Sequence, residues 1–255
     1  MSLTLTPLAG IPLITPGMDI AKIILSGLKK SQIKLQDNDI IAITQKIVSK
    51  AEGRLINLVS VTPSEKASLL AKEIEKDPRL VELILRESRE VIRTRPGTII
   101  VEHKLGFICA NAGIDHSNVS GEGNATDEMV LLLPENPDLS ASKIRASLER
   151  QTGAKIGVLI NDSHGRAWRM GTVGAAIGLS GIPGVLDERG WKDLAGYTLR
   201  ITVVGIADEL AAAASLLMGQ AAEGTPVVHI RGFPYPLRDG SLSELLRPKS
   251  QDMFR

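Results

Sequence analysis

The chain has 255 residues, with 30 Lys plus Arg against 29 Asp plus Glu and a formal net charge of +1. No polybasic or acidic block occurs, which excludes a broad electrostatic nucleic-acid surface. Three Phe, two Trp and two Tyr, in a chain that is 43% hydrophobic, leave too little aromatic material for stacking single strands.

The chain is long enough for one large domain or two small ones. A single cysteine, Cys109, excludes an intrachain disulfide and a cysteine-ligated metal cluster, and fits a reducing compartment. The start, MSLTLTPLAGIPLI, has no basic leader, and no window approaches 18 uninterrupted apolar residues, so a cytoplasmic protein without a membrane partner is expected.

After an extended start, Ile20, Ile23, Ile24 and Leu28 predict an amphipathic helix from Met18 to Lys30, with Asp19 as an early capping carboxylate. Asp37-Asn38-Asp39 reads as a turn, and Ile40 to Ile43 as a buried strand ending at Thr44. The polar stretch TQKIVSKAEGR follows. Thr62-Pro63-Ser64-Glu65 reads as a helix start capped by Thr62, the helix running to about Lys76, and Asp77-Pro78 starts another towards Ser88. A soft boundary is placed between about residues 60 and 100.

Short apolar runs at 98–101, 107–110 and 130–133 predict strands of a central sheet. Ser140 to Gln151 has helical spacing and stops at Gly153; Lys155 to Asn161 reads as strand. From Gly165 to Tyr197, glycines at 165, 171, 174, 178, 181, 184, 190 and 196 suggest an irregular, site-forming region. Leu199 to Val204 reads as strand, Asp208 to Met218 as a helix capped by Asp208 and ended by Gly219, and Val227 to Ile230 as a last strand. Strands and helices alternate without a regular βαβ rhythm, which predicts an α+β fold with mixed or antiparallel sheets.

No phosphate-loop, dinucleotide, HExxH or GxSxG signature is present. What remains is a pair of carboxylates just past apolar runs, Asp115 in NAGIDHSN and Asp162 in LINDSHGR. A strand end holds a carboxylate rigidly while leaving it access to a hydrated ion. Asp115 and Asp162 with the Ser163 hydroxyl would make half a shell for magnesium or manganese, which take oxygen ligands; the alternative is two Asx turns. His116 and His164 admit acid–base, ligand or solvated supporting roles. Arg166 and Arg169 around Trp168 could clamp a phosphate or carboxylate, or flank a buried indole. Lys46 and Lys50 are phosphate contacts or ordinary solvated lysines. The two glycines of the 219–225 segment would let backbone approach a ligand. Cys109 reads as an inert core thiol.

Taken together, GIPLI at 10–14, VSKAEGR at 48–54, AGIDHSN at 112–118, INDSHGRAWRMG at 160–171 and ADELAAAASLLMGQAAEGTPV at 207–227 resemble the coenzyme F420-0:L-glutamate ligase (CofE) family over nearly the whole chain. The resemblance implies a non-Rossmann, CofE-like α+β fold and an intertwined homodimer, in one ligase unit spanning 1–255 without a C-terminal nitroreductase domain. It implies GTP-dependent addition of L-glutamate to coenzyme F420-0 through an acyl phosphate, with a second, γ-linked glutamate added to F420-1. Two divalent cations, magnesium or manganese, are implied, and the pattern admits a monovalent cation such as potassium.

Carried over residue by residue, the resemblance puts metal ligands on Asp115, Asp162, Ser163 and Gln220, the two aspartates being the catalytic pair. It puts guanine-nucleotide contacts on Ile11, Pro12, Leu13 and Ile14, on Thr44, Gln45 and Lys50, on Asn118, and on Met218, Gly219, Gln220, Ala221, Ala222, Glu223, Gly224 and Thr225. Gln45 stands where relatives often have serine. A metal-dependent phosphohydrolase and a non-catalytic nucleotide-binding homologue remain as alternatives.

Overall fold

The computed structural model describes residues 2–116, 119 and 128–254. The chain opens with strand β1 (Thr4–Pro7) and helix α1 (Ile20–Lys30), whose start is fixed by Asp19 accepting the Lys22 amide at 3.1 Å. Strand β2 (Ile40–Thr44) runs directly into the short helix α2 (Gln45–Ala51), and β3 (Leu55–Asn57) follows. Helix α3 (Glu65–Ile74) is capped by Ser64, whose Oγ accepts the Ala67 amide at 3.2 Å, not by Thr62; Ser64 is the extended residue next to the first helical one. Helix α4 (Pro78–Arg86) starts at Asp77-Pro78 as expected, with Asp77 as its cap.

Strands β4 (Ser88–Arg95), β5 (Thr98–His103), β6 (Ile108–Ala110) and β7 (Met129–Leu131) come next. Then α5 (Pro137–Thr152) leads to a long hairpin of β8 (Gly157–Arg166) and β9 (Arg169–Ser180). The last elements are β10 (Leu186–Asp187), β11 (Val203–Val204), α6 (Ile206–Met218) and β12 (Val227–Arg231).

The central sheet has the order β1-β12-β2-β8-β9, parallel between β2 and β8 and antiparallel elsewhere. Its middle strands are buried on both sides, which is why they read as unbroken apolar runs. On one face Ala42, Leu159 and Val228 pack under Ala207, Leu210, Ala211 and Ala214 of α6. On the other, Ile41, Ile43, Val158 and Ile160 share a core with α1, α5 and the second sheet. The apolar runs between 98 and 133 do not join the central sheet: β5 and β6 pair with β4, and β7 pairs with β3. The architecture is α+β with mixed and antiparallel sheets.

The glycine-rich stretch is not irregular where it was expected to be; its first half is the twelve-residue strand β9. Two of its glycines are packing devices. A Cβ on Gly174 would run into the Ala211 carbonyl of α6, and one on Gly178 into Pro137 at the start of α5, so both helices lie almost on the strand backbone. The strand expected over Leu199 to Val204 is reduced to Val203–Val204. Asp208 does not cap α6, which starts after Gly205; its Oδ1 accepts the Ala176 amide of β9 at 2.9 Å and ties helix to strand.

At the far end of the sheet Asp39, 1% exposed, receives Arg231 through two bonds of 2.8 and 2.7 Å, and His229 Nε2 lies 2.9 Å away. Burial alone would raise this carboxyl, but the guanidinium and the imidazole outweigh it and hold it below its ordinary value.

We expect Gly174→Ala to destabilise the protein by about 1–3 kcal/mol through overpacking against helix backbone. Gly165→Ala, which meets nothing within 4 Å, should leave the unfolding midpoint nearly unchanged. Thermal denaturation of the two variants side by side checks this.

Candidate active site

Because β2 and β8 are parallel, both end at the same side, with Thr44 opposite Asn161. The antiparallel strands β1 and β12 respectively leave and enter there: the Leu8 amide bonds the Val227 carbonyl, and the Thr44 amide bonds the Pro226 carbonyl, each at 2.9 Å. The segments after β1 and β2, the last residues of β8 and the approach to β12 therefore meet at one end of the sheet. A crevice beyond the carboxyl ends of parallel strands is where such sheets bind ligands.

Asp115 arrives from the second layer through a costly turn. Asn111 (φ 51°), Ala112 (φ 53°) and Gly113 (φ 65°) are successively left-handed, a conformation that disfavours a residue with a Cβ by about 1–2 kcal/mol. The Asn111 side-chain oxygen accepts the Ile99 amide at 3.3 Å. Asp115 then exchanges both backbone bonds with Leu131, at 3.0 and 2.9 Å, which fixes its Cα.

Its carboxylate is fixed as well. Gln45, fully buried as the first residue of α2, donates its Nε2 to Asp115 Oδ2 at 2.7 Å, while its Oε1 accepts the Ser49 hydroxyl at 2.9 Å. Lys46 Nζ lies 3.4 Å from Asp115 Oδ1. Burial, the largest cause, pushes the Asp115 carboxyl up to about 6; Lys46 pulls against it, and the charge of Asp162 pushes the same way as burial.

Strand alternation sends neighbouring residues of β8 to opposite faces. Asp162 shares the face of Val158 and Ile160 with His164, whose Nε2 lies 3.2 Å from Asp162 Oδ2 without the alignment of a hydrogen bond. The His164 ring tilts against Phe107 (centroids 5.0 Å apart), and Phe107 stacks on His103 at 5.3 Å. Burial pushes His103 down to about 4, and its Nδ1 accepts the Leu105 amide. Ser163 points the other way and donates to Gln220 Oε1 at 2.9 Å. Asn161, 3% exposed, keeps a buried Oδ1 with no hydrogen-bond partner. Cys109 is buried near Asp162, and burial followed by that charge raises its thiol to about 12, the inert core thiol expected.

Among the described residues, no three His, Cys, Asp or Glu side chains converge. The candidate ligand set is two carboxylates, a hydroxyl and an amide oxygen, all hard donors suited to magnesium or manganese rather than to softer metals. A carboxyl raised by burial beside a second carboxylate also fits a site that needs a cation.

The nucleotide-contact residues of the sequence reading converge unevenly. The Ile11–Ile14 loop is tied to the end of α2 by the Gly17 amide on the Ala51 carbonyl at 2.8 Å, with Leu13 exposed and Ile14 buried. Lys50, on that helix, is lowered by burial and then by Lys46. Gln45 spends both ends of its side chain on Asp115 and Ser49. Gly219 ends α6 at φ 68°, Glu223 folds back over it and accepts the Ala221 amide at 2.8 Å, and Thr225 donates to the Leu217 carbonyl at 2.7 Å. The Glu223 carboxyl is held below its ordinary value by its own backbone N–H and that of Ala221. In this loop the backbone amides are held by an anion of the chain itself, the Glu223 carboxylate. Asn118 lies outside the described residues.

His116 is exposed. Trp168 is not the buried indole considered above: it is 89% exposed at the tip of the β8–β9 hairpin, with φ 63°. Arg166 there donates to the Gly171 carbonyl at 3.0 Å. Sequence reasoning missed Ser49, Asn161 and Phe107. Only the four-residue spacing of Gln45 and Ser49, on a helix leaving a buried strand, carries a signal for such a pair.

The model of the F420-0:gamma-glutamyl ligase family matches residues 10–232. A relative described as coenzyme F420:L-glutamate ligase, from Methanothermobacter thermautotrophicus, is 49% identical over 257 residues and covers the whole of both chains. Proteins of the same description from Methanocaldococcus jannaschii and Archaeoglobus fulgidus are 46% identical over 225 residues (88% of each chain) and 41% identical over 255 residues (100% of this chain and 97% of the relative).

The raised Asp115 carboxyl makes a signed pH prediction for metal-free protein. Its pKa is higher folded than unfolded, so its contribution to stability is full below its ordinary 3.8 and is lost as pH rises through about 6. Asp115→Asn, which keeps an oxygen for Gln45, should stabilise metal-free protein by about 1–2 kcal/mol at neutral pH and by little near pH 4. Denaturant unfolding in a chelator at the two pH values checks this.

Proposed function

The chain belongs to the F420-0:gamma-glutamyl ligase family, and on that premise we propose that it joins L-glutamate to coenzyme F420-0 at the expense of GTP. The observation that carries the reading is the pair of half-buried carboxylates, Asp115 and Asp162, at the sheet end where the Ser163–Gln220 contact and the Met218–Thr225 loop also meet. A carboxylate does not condense with an amine in water, because its leaving group is poor. GTP therefore first phosphorylates the precursor's carboxylate, releasing GDP, and the amine of glutamate then displaces phosphate from the acyl phosphate. Addition of a second, γ-linked glutamate to F420-1 repeats the same two steps.

Asp115, Asp162, Ser163 and Gln220 would hold two divalent cations, magnesium or manganese, which when bound neutralise and align the transferring phosphate. The chain's own part is positional: the Leu131 bridge and Gln45 hold Asp115, strand β8 holds Asp162, and the 219–225 loop and Lys50 line the approach of the nucleotide. With a net charge of +1, the protein exerts no strong overall attraction on three anionic substrates. Metal-free protein should therefore bind GTP far more weakly than protein with manganese, which calorimetry would show.

The chain acts as a homodimer in this reading, supported by the largely exposed 186–204 arm, where Trp191, Leu194, Tyr197 and Ile201 face solvent in the monomer. No helix among the described residues is long and apolar enough to cross a membrane, and the proposed reaction is a cytoplasmic one.

Incubation with GTP, manganese, glutamate and F420-0, followed by mass spectrometry, should show GDP and a product heavier by one or more glutamyl residues. Phosphate release that does not need glutamate would instead mark a hydrolase, and nucleotide binding without turnover a non-catalytic homologue. Asp162→Asn should lower the rate by about a hundredfold or more with an unchanged unfolding midpoint; near-normal turnover would sink the assignment.

A further inference from the structure

The two oxygens of Asp115 are held in different ways. Oδ2 receives the Gln45 carboxamide at 2.7 Å, from a side chain that is fully buried. That carboxamide cannot turn over without cost, since its own oxygen already accepts the Ser49 hydroxyl at 2.9 Å and a flip would face oxygen to carboxylate. Oδ1 has instead the Lys46 ammonium at 3.4 Å, longer than a close charge-assisted bond. The Lys46 side chain is 24% exposed, and its flexible four-carbon stem has a route to water. A neutral amide grips one oxygen, and a cation sits by the other.

We propose that Asp115 has one fixed and one exchangeable oxygen: Gln45, locked by Ser49, is a positioning residue that dedicates Oδ2 to the protein, and Oδ1 is the oxygen given to a divalent cation, which displaces Lys46. The inference rests on the reading of Asp115 as a cation ligand and adds which oxygen binds, what orients it and what must leave. An ammonium and a divalent cation repel at that range, so the two compete for Oδ1. A carboxamide that only donates to Oδ2 brings no net charge and does not compete. The released ammonium remains close enough to meet an anionic group brought in with the cation.

The two neighbours of Asp115 therefore act on cation affinity with opposite signs, which general damage to the site would not produce. The test is Mn(II) binding, read by electron paramagnetic resonance at about pH 8 without nucleotide, on full-length wild type, Gln45→Leu, Ser49→Ala and Lys46→Met, each checked by its unfolding midpoint. Gln45→Leu should bind Mn(II) about 10- to 100-fold more weakly, Ser49→Ala should lose less in the same direction, and Lys46→Met should bind severalfold more tightly. Should Gln45→Leu fail to fold, Ser49→Ala and Lys46→Met still decide the matter by their opposite signs. Wild-type affinity in Gln45→Leu and Ser49→Ala, or weakened binding in Lys46→Met, would overturn the exchange. Wild type that takes up no Mn(II) would overturn the ligand reading beneath it.

Discussion

Two carboxylates placed within electrostatic reach of each other inside a folded protein are unfavourable. Burial and the charge of Asp162 both act to keep Asp115 protonated, and several neighbouring features can be understood as answers to that cost. The left-handed run at Asn111 to Gly113 turns the chain inward, the Leu131 bridge fixes the backbone, Gln45 and Ser49 take one oxygen, and Lys46 supplies a positive charge by the other. A protein selected for stability alone would replace the pair with apolar side chains. Such a local cost is what makes the pair the candidate site.

The platform for this cost is the central sheet. Its middle strands are buried on both faces, so they cannot slide by one residue without moving a whole apolar set into the wrong core. The same constraint holds Thr44 opposite Asn161 and therefore fixes where α2 begins and where Asp162 and Ser163 emerge. At the other end, the Asp39, His229 and Arg231 cluster ties the start of β2 to β12. One end of the sheet is closed by matched charges, while at the other Asp115 feels both the charge of Asp162 and the Lys46 ammonium. Alternation along β8 then divides the site, with Asp162 on the second-sheet face and Ser163 on the α6 face beside Gln220.

The elements legible in the sequence were those whose signal is local. Ile40 to Thr44 and Val227 to Arg231 are apolar on both faces and read as strands at once; Asp19 and Asp77 cap helices wherever they occur before such patterns. Other elements carried misleading local signals. β4 is charged and mostly exposed because it is an edge strand, so it has no apolar period to read. The glycines of β9 looked like loop formers, but Gly174 and Gly178 exist to admit the backbones of α6 and α5. Asp208 had the look of a cap and is a cross-link to β9. In each case the residue's partner lies far away in the chain.

The sequence by itself determined the α+β class and the family, because these are written in local pattern and in motif. Only the tertiary structure decided that Gln45 turns inward to Asp115, that Asp162 and Ser163 face opposite ways, and that burial raises the proton affinity of Asp115. Those facts depend on which distant segments share a desolvated volume, and burial is set by the packing of layers that no single stretch of sequence contains.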